Sequence, residues 1–213
     1  MDIAIVAATD LEIAPFRSML LPYSKGKIIW ATTGVGAIPT TFSISRLIAE
    51  HHPSLIIQIG IAGCFDSSLP IGSAVAVASE IQADMGVMED GTYKDVFQMG
   101  LTAYDAFPYQ QGCLNNPHTD LIKQSGLTPV KSISVNEIST LPDKIELFHK
   151  RYGAQIESME GAAFHYACLC SHTPFIQLRG ISNVVGIRDK KQWNIPDALH
   201  AVRAACCTLL ESL

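Results

Sequence analysis

The chain has 213 residues, a 48% share of hydrophobic residues, a mean hydropathy of +0.22 and a net charge of −5. This composition leaves enough apolar surface to bury a core, so it excludes a disordered chain and favours a single α/β domain over residues 1–213. Only 15 residues are lysine or arginine, and no basic run is longer than Lys190-Lys191, which excludes the dense positive patch of nucleic-acid-binding and anionic-membrane-binding proteins.

Apolar runs and turn residues divide the chain into alternating strands and helices. The opening residues enter a strand directly, without a charged leader or a bilayer-spanning apolar stretch, which favours a cytoplasmic protein. Strands are predicted at residues 3–8, 27–32, 55–60, 72–80, 130–135 and 175–182, with a short further strand before Glu160. Helices are predicted at residues 11–20, 37–51, 117–126, 142–152 and 195–210, and from Gly161 to about residue 170.

Residues 81–109 form the least regular part of the sequence. They have no clear hydrophobic period and contain several Met, Phe and Tyr residues among turn residues. A stretch of this length without regular structure is typical of a lid or an interface. Both alternatives stay open at this stage.

Two carboxylates and one arginine lie where a charge is costly unless it has a partner. Glu12 is in the first turn of a predicted helix, just beyond the first strand, at the edge where open α/β sheets bind ligands. Glu160 lies where a short strand gives way to a helix, and the two adjacent hydroxyls of a ribose would satisfy it. For both, interaction with a helix dipole is the alternative. Arg179 lies inside an apolar strand and requires an anion or several carbonyl partners.

Two segments rich in small residues come at the ends of predicted strands. Thr33-Gly34-Val35-Gly36 and Gly60-Ile61-Ala62-Gly63 leave room for a ligand to approach the backbone, or make tight turns. The first segment lacks the third glycine and the later acidic residue of a dinucleotide-binding fingerprint. The histidines and the six cysteines show no metal-ligand spacing, so no metal site and no cofactor are predicted.

Taken together, the motifs resemble the nucleoside phosphorylase and nucleosidase family over nearly the whole chain. The resemblance is closer to futalosine hydrolases than to methylthioadenosine and S-adenosylhomocysteine nucleosidases, on account of residues 84–91 and 184–198. The motifs shared with the family are, in order, Glu12, Thr33-Gly34-Val35-Gly36, Gly60-Ile61-Ala62-Gly63, Ser158-Met159-Glu160-Gly161 and Arg179-Gly180-Ile181-Ser182-Asn183.

The resemblance implies a three-layer α/β/α fold with a central twisted mixed sheet, in which a purine nucleoside lies across the carboxyl ends of the strands. It implies that Glu160 binds the ribose hydroxyls, that Glu12 holds the attacking water, and that Arg179 lies beside the base. Glycosidic cleavage passes through an oxocarbenium-like state, which nearby carboxylates stabilise. Asn183 is the third catalytic candidate, and the predicted substrate contacts are Glu160, Ser158, Met159, Ile61, Ala62, Gly63, Val135, Asn136, Ser182 and Phe97.

Two positions favour water over phosphate as the nucleophile. Phosphorylases of this family have an arginine and a hydroxyl residue where this chain has Gln58 and Ile61. Phosphate recognition depends on charge-assisted hydrogen bonds, so the loss of both groups predicts a hydrolase. The chain also has Ser158 where adenosine-type members usually have a glutamate and Thr9 where they usually have a methionine.

Asn183 favours a 6-oxopurine base. Adenine-specific members have an aspartate at this position, which donates a proton to N7 and accepts from the 6-amino group. An amide nitrogen donates to N7 and to a 6-oxo oxygen without being protonated. The resemblance therefore implies hydrolysis of futalosine to hypoxanthine and dehypoxanthine futalosine, a step of menaquinone biosynthesis.

Two alternatives stay open, a methylthioadenosine-type nucleosidase and a non-catalytic nucleoside-binding protein on the same fold. The expected partners are a purine nucleoside and water, with no nucleic acid or membrane, and the family implies a homodimer or a higher homo-oligomer. The 81–109 segment is a candidate wall for the carboxyphenyl group of futalosine or an apolar interface. Arg188 is a candidate partner of the substrate carboxylate, with a solvated loop charge as the alternative.

Overall fold

The structure is a computed structural model that describes residues 1–17, 23–65 and 68–213. The strands are β1 (Ile3–Ala7), β2 (Ile28–Thr32), β3 (Leu55–Cys64), β4 (Ala74–Gln82), β5 (Gly86–Glu89), β6 (Thr92–Asp95), β7 (Leu114–Asn115), β8 (Pro129–Ser134), β9 (Ile156–Ser158) and β10 (Phe175–Val184). The α-helices are α1 (Asp10–Arg17), α2 (Ala37–His51), α3 (Thr119–Gln124), α4 (Pro142–Tyr152), α5 (Gly161–Cys170) and α6 (Ile195–Ser212), and residues Lys190–Gln192 form a 3-10 turn.

A mixed sheet forms the middle layer, and β3 is its central strand. β3 runs parallel to β1 and β10 and antiparallel to β9, while β4 runs antiparallel to β10 and parallel to β8. Because β8 also pairs with β9, the strands β3, β10, β4, β8 and β9 close into a ring. This closure brings β9 and β10 to opposite sides of the same end of β3.

The two faces of the sheet bury separate apolar cores, so the fold has three layers. One core joins β1, β3 and β10 to α1, α3 and α6, with Phe16 and Val202 among its fully buried side chains. The other joins the opposite face to α2 and α5 through Ile44 and Phe164. The α/β/α fold with a mixed central sheet, expected from the sequence, is confirmed.

Helix predictions agree best where clear stop signals follow. α2 and α4 have the predicted bounds, and each helix is followed by a residue in the left-handed conformation, His52 and Gly153. α1 ends at Arg17, and the predicted remainder at residues 18–20 lies outside the described residues. α3 is shorter than predicted at both ends.

Two segments contain more strand than the sequence predicts. The 81–109 segment contains a hairpin, β5 and β6, whose turn residues Asp90 and Gly91 have φ values of 47° and 74°. An Asp-Gly pair with both φ values positive is a favoured two-residue hairpin turn. β3 continues to Cys64 instead of ending at Gly60, because β9 and β10 pair with its last residues.

Candidate active site

A cavity of about 340 Å³ opens at the edge of the sheet where β1, β3 and β10 end, beside the first turns of α1 and α5. Its position agrees with the rule that open α/β sheets bind ligands beyond the carboxyl ends of their strands. The predicted site residues that line it are Glu12, Ile61, Ala62, Gly63, Ser158, Met159, Glu160, Ser182 and Asn183.

Glu12 is buried and held at the cavity wall by three hydrogen bonds. Its Oε2 accepts from the backbone N–H and the hydroxyl of Thr9, at 3.0 and 2.8 Å, and its Oε1 accepts from the Ile61 N–H at 3.1 Å. Thr9 and Glu12 thus form a capping box at the start of α1. Glu12 therefore does interact with the start of a helix, which was the alternative role for this residue. The same hydrogen bonds hold its carboxylate at the cavity wall.

Glu160 is the residue immediately before α5, and its buried carboxylate joins two other parts of the chain. Its Oε1 accepts from the Gly36 N–H at 3.0 Å, and its Oε2 lies 3.5 Å from Nη2 of Arg179. Gly36 has a φ of 89°, so a glycine suits the turn that points this N–H at the carboxylate. The Gly34-to-Gly36 turn therefore serves as an anchor for Glu160.

Arg179 lies beneath the cavity and is 1% exposed, so it is absent from the cavity wall. Its guanidinium donates to the Ile61 carbonyl at 3.2 Å and to Oε1 of Gln58 at 3.3 Å, and it pairs with Glu160. The predicted need for an anion and carbonyl partners is met. In this geometry Arg179 contacts Glu160 but not the cavity, and its direct contact with the base stays a prediction.

Gly60 allows two charged groups, those of Glu12 and Arg179, to approach β3 on the side where a side chain would otherwise lie. A Cβ atom at this position would lie 2.5 Å from Nη1 of Arg179 and 2.9 Å from Oε1 of Glu12. Any side chain here would displace one of these groups. The glycine of the Gly60-to-Gly63 motif is therefore explained by the close approach of Glu12 and Arg179.

A β-bulge in β10 brings Asn183 to the cavity. The register between β10 and β3 shifts after Ile181, so that Asn183 pairs with Gly63 and Ser182 is the extra residue. Bulges of this kind re-aim side chains beside active sites. The Ser182 hydroxyl donates to Oδ1 of Asn183 at 2.7 Å, and Nδ2 of Asn183 donates to the Val184 carbonyl at 2.9 Å, leaving one amide proton.

The structure does not bring Val135, Asn136 or Phe97 to this cavity. Val135 is buried in a core cluster that includes Phe148, and the Asn136 amide donates to Asp84 at 3.3 Å. Phe97 lines a second cavity of about 520 Å³ and stacks on Tyr104, with ring centroids 5.1 Å apart. None of the three residues lines the cavity that contains Glu12 and Glu160, so their roles as substrate contacts stay predictions.

Sequence reasoning missed Glu157, Lys190 and Trp193 as parts of the cavity, whereas Arg188 was a candidate already named from the sequence. Glu157 lines it and is buried, and this burial raises the pKa of its carboxyl group. Arg188, Lys190 and Trp193 also line it, with the Arg188 guanidinium 5.2 Å from the centroid of the Trp193 ring. The run Glu157-Ser158-Met159-Glu160 held a signal for Glu157, because a second carboxylate so close to Glu160 is unusual in a buried strand.

A buried polar network supports α5 from below. Oε1 of Glu80 accepts from Nε2 of Gln177 and Oε2 accepts from the Ser134 hydroxyl, both at 3.0 Å, and that hydroxyl accepts from the Ala162 N–H at 2.8 Å. Burial raises the pKa of Glu80 to about 7.

The described part of the chain contains no cluster of three potential metal ligands and no helix long and apolar enough to span a bilayer.

Comparison with known proteins relates this chain to enzymes that cleave N-glycosidic bonds of nucleosides. The sequence pattern of the Phosphorylase superfamily matches residues 12–213. The futalosine hydrolase of Thermus thermophilus is 29% identical over 212 residues, covering 95% of this chain and 90% of the relative. The futalosine hydrolase of Acidothermus cellulolyticus is 30% identical over 181 residues, covering 83% of this chain and 72% of the relative.

A solved structure agrees with the fold. The S-adenosylhomocysteine nucleosidase of Streptococcus pyogenes, in complex with 5-methylthiotubericidin, superposes with a TM-score of 0.83 at 21% identity, covering 100% of this chain and 97% of that chain. The nucleoside phosphorylase-like architecture implied by the sequence motifs is confirmed.

Removing the Arg179 charge is expected to destabilise the fold through Glu160. Arg179→Met leaves the buried Glu160 carboxylate without its cation, which typically costs about 3–5 kcal/mol of unfolding free energy. The double variant Arg179→Met with Glu160→Gln also removes the Glu160 charge. It is therefore expected to recover part of the lost unfolding free energy. Urea unfolding of both variants and the parent measures the difference. A double variant no more stable than Arg179→Met would show that the ion pair does not carry the effect.

Glu80 is expected to make stability fall with rising pH. Its pKa is raised to about 7 in the folded protein, whereas an unfolded glutamate titrates near ~4.3, so the folded state holds the extra proton between these values. The stabilisation from this proton is complete below the unfolded-state pKa, and it is lost as pH rises through the folded-state pKa. Between pH 5 and 8, the unfolding free energy of Glu80→Gln should therefore fall less than that of the parent. The difference between the two decreases is up to about 3 kcal/mol. Exposed Glu211→Gln is the matched control; equal pH profiles for Glu80→Gln and the parent would contradict the assignment.

Proposed function

This chain belongs to the phosphorylase superfamily, and from that premise we propose that it hydrolyses the N-glycosidic bond of futalosine, releasing hypoxanthine and dehypoxanthine futalosine. Membership of the family supports an N-glycosidic nucleosidase, and the futalosine hydrolases among the relatives support futalosine as the substrate. One observation carries the proposal: two buried carboxylates, Glu12 and Glu160, line a single cavity whose far end presents Asn183.

Glu160 is proposed to bind the ribose. Each of its oxygens has one protein partner, the Gly36 N–H and Arg179, which leaves lone pairs for the 2′ and 3′ hydroxyls. Met159, also in the cavity wall, packs on the sugar in this arrangement. As the glycosidic bond breaks, positive charge develops on the ribosyl ring, and the buried carboxylates stabilise it in surroundings of low dielectric constant.

Water is proposed as the nucleophile, held by Glu12. The two positions that bind phosphate in phosphorylases are committed to other contacts here. The Gln58 side chain accepts from Arg179, and the Ile61 N–H donates to Glu12. A phosphate dianion would meet a carboxylate at this point instead of a cation, so its binding is unfavourable.

Asn183 is proposed to assist departure of the base. Its remaining amide proton is available to N7 or to the 6-oxo oxygen of hypoxanthine, both of which are acceptors. Hydrogen bonding at the purine stabilises the charge that the leaving group acquires. An adenine-releasing nucleosidase would lack this preference. The shared fold makes an S-adenosylhomocysteine nucleosidase, the activity named for the Streptococcus pyogenes structure, the second candidate.

The cavity mouth fits an anionic 5′ substituent. Arg188 and Lys190 line it together with the Trp193 ring, so a carboxyphenyl group would meet two cations and an aromatic surface.

The 81–109 segment does not line this cavity, which favours its alternative role as an interface. We include a homo-oligomer in the proposal, since Ile38 and Phe42 on α2 and Leu101 in that segment are exposed apolar side chains. A place in menaquinone biosynthesis follows only if futalosine is the substrate.

Parallel measurement of base release tests the proposal. Futalosine, inosine and methylthioadenosine are incubated with the protein in phosphate-free buffer and again with phosphate, and the free bases are quantified. The expected result is hypoxanthine from futalosine, unchanged by phosphate. Adenine from methylthioadenosine would support the second candidate, a phosphate requirement would contradict the hydrolytic mechanism, and no release from any nucleoside would favour a binding protein.

Glu12→Gln is expected to lower turnover by at least ~10²-fold, the usual scale for loss of a general base. The amide keeps the size of the side chain and a carbonyl to accept from Ile61, so the effect on KM is expected to be small. Steady-state kinetics on futalosine measures both constants, with exposed Glu50→Gln as the control. Near-parental turnover in Glu12→Gln would show that another group activates the water.

A further inference from the structure

Three residues on adjacent strands form one end of the cavity. Gly63 on β3 pairs with Asn183 on β10 and with Glu157 on β9, and all three residues line the cavity. Residues paired across neighbouring strands point to the same face of a sheet, and two interstrand steps separate the outer pair by about 10 Å between Cα atoms. An amide and a carboxyl group therefore flank a glycine at a spacing that suits the width of a heterocyclic base.

Gly63 keeps the space between the two side chains open. A Cβ atom at this position would lie 3.1 Å from Cγ2 of Val185 and 3.3 Å from Nδ2 of Asn183. These distances are shorter than ordinary carbon contacts, so a larger residue would crowd the amide. The glycine leaves a flat floor on which a planar ring can lie.

Glu157 has one carboxylate oxygen that the protein leaves without a partner. Its Oε1 accepts from the Ser139 N–H at 3.0 Å, whereas Oε2 is buried and has no partner in hydrogen-bonding geometry. Burial raises the pKa of the carboxyl group, and the nearby Ser139 hydroxyl partly offsets this rise. The residue is only 6% exposed, so water does not compensate freely for the missing bond. A ligand that presents an N–H group at this end of the cavity would supply it.

We propose that Glu157 is a specificity-determining residue that accepts a hydrogen bond from N1–H of a 6-oxopurine, while Asn183 donates to the opposite edge of the same base. The proposal rests on the proposed function and names the base that the site selects. A 6-oxopurine carries a proton on N1 and acceptors at O6 and N7, which matches a carboxylate and an amide donor. Adenine presents a lone pair at N1, which faces the carboxylate unfavourably.

The bond to Ser139 offers a purely structural role for Glu157, and Glu157→Gln separates the two roles. The glutamine carbonyl can still accept from the Ser139 N–H, which directs its amide nitrogen to the position of Oε2. That nitrogen is a donor, so it opposes the N1–H of hypoxanthine and complements N1 of adenine. A structural role predicts equal losses for all bases, whereas the specificity role predicts a change in their ratio.

The test measures binding of hypoxanthine, 1-methylhypoxanthine and adenine by calorimetry, in the parent, in Glu157→Gln and in the exposed control Glu146→Gln. The parent and the control should bind hypoxanthine at least ~10-fold more tightly than either competitor, the scale of a hydrogen bond to a charged group. In Glu157→Gln the preference over 1-methylhypoxanthine should disappear and the preference over adenine should fall by at least ~10-fold. Equal preferences in the parent and Glu157→Gln would overturn the proposal.

The same variants in the base-release assay separate failure of this inference from failure of the proposed function. A parent protein that releases no base but shows a Glu157-dependent preference for hypoxanthine would uphold the inference and contradict the hydrolase. A parent that releases hypoxanthine from futalosine, together with a Glu157→Gln variant of unchanged base preference, would uphold the hydrolase and overturn the inference. Thermal unfolding of each variant identifies any loss caused by misfolding.

Discussion

The ion pair between Arg179 and Glu160 is the interaction on which the rest of the site depends. Both side chains are almost fully buried, at 2% and 6% exposure, and their charged atoms lie 3.5 Å apart. A buried guanidinium is tolerated only when its charge and donors are matched, and Glu160, the Ile61 carbonyl and Gln58 do this. The pairing requires a residue without a side chain at Gly60, and the space that a side chain would fill there also holds the Glu12 carboxylate. One constraint therefore places both carboxylates of the site.

Closure of the sheet into a ring determines which side chains form one end of the cavity. Because β9 and β10 flank the end of β3, Glu157 and Asn183 lie on either side of Gly63. The bulge in β10 is needed for this arrangement, since a regular strand would bring Ser182 opposite Gly63 instead. In the proposed binding mode, the part of the cavity that binds the sugar is built on buried charge, and the part that binds the base is built on strand register. A nucleoside has the same division between a diol and a planar heterocycle.

Much of the fold and part of the site could be predicted from residue patterns. α2 and α4 have strong helical periods and clear stop signals, and the unfavourable burial of Arg179 required a partner that the structure supplies. The remainder depends on pairing between distant segments. β9 has three residues, too few to show a period of two, so the face that Glu157 occupies was not predictable. Asn136 follows a strand end as expected but turns to Asp84, a contact that no local pattern reveals.

The most direct test of the central claim is a crystal structure of the Glu12→Gln variant with futalosine bound. We expect the ribose 2′ and 3′ hydroxyls within hydrogen-bonding distance of Glu160, C1′ facing residue 12, and the purine extending toward Asn183. The account would be contradicted by a nucleoside in the cavity lined by Phe97 and Tyr104, or by one bound with its base against Glu160.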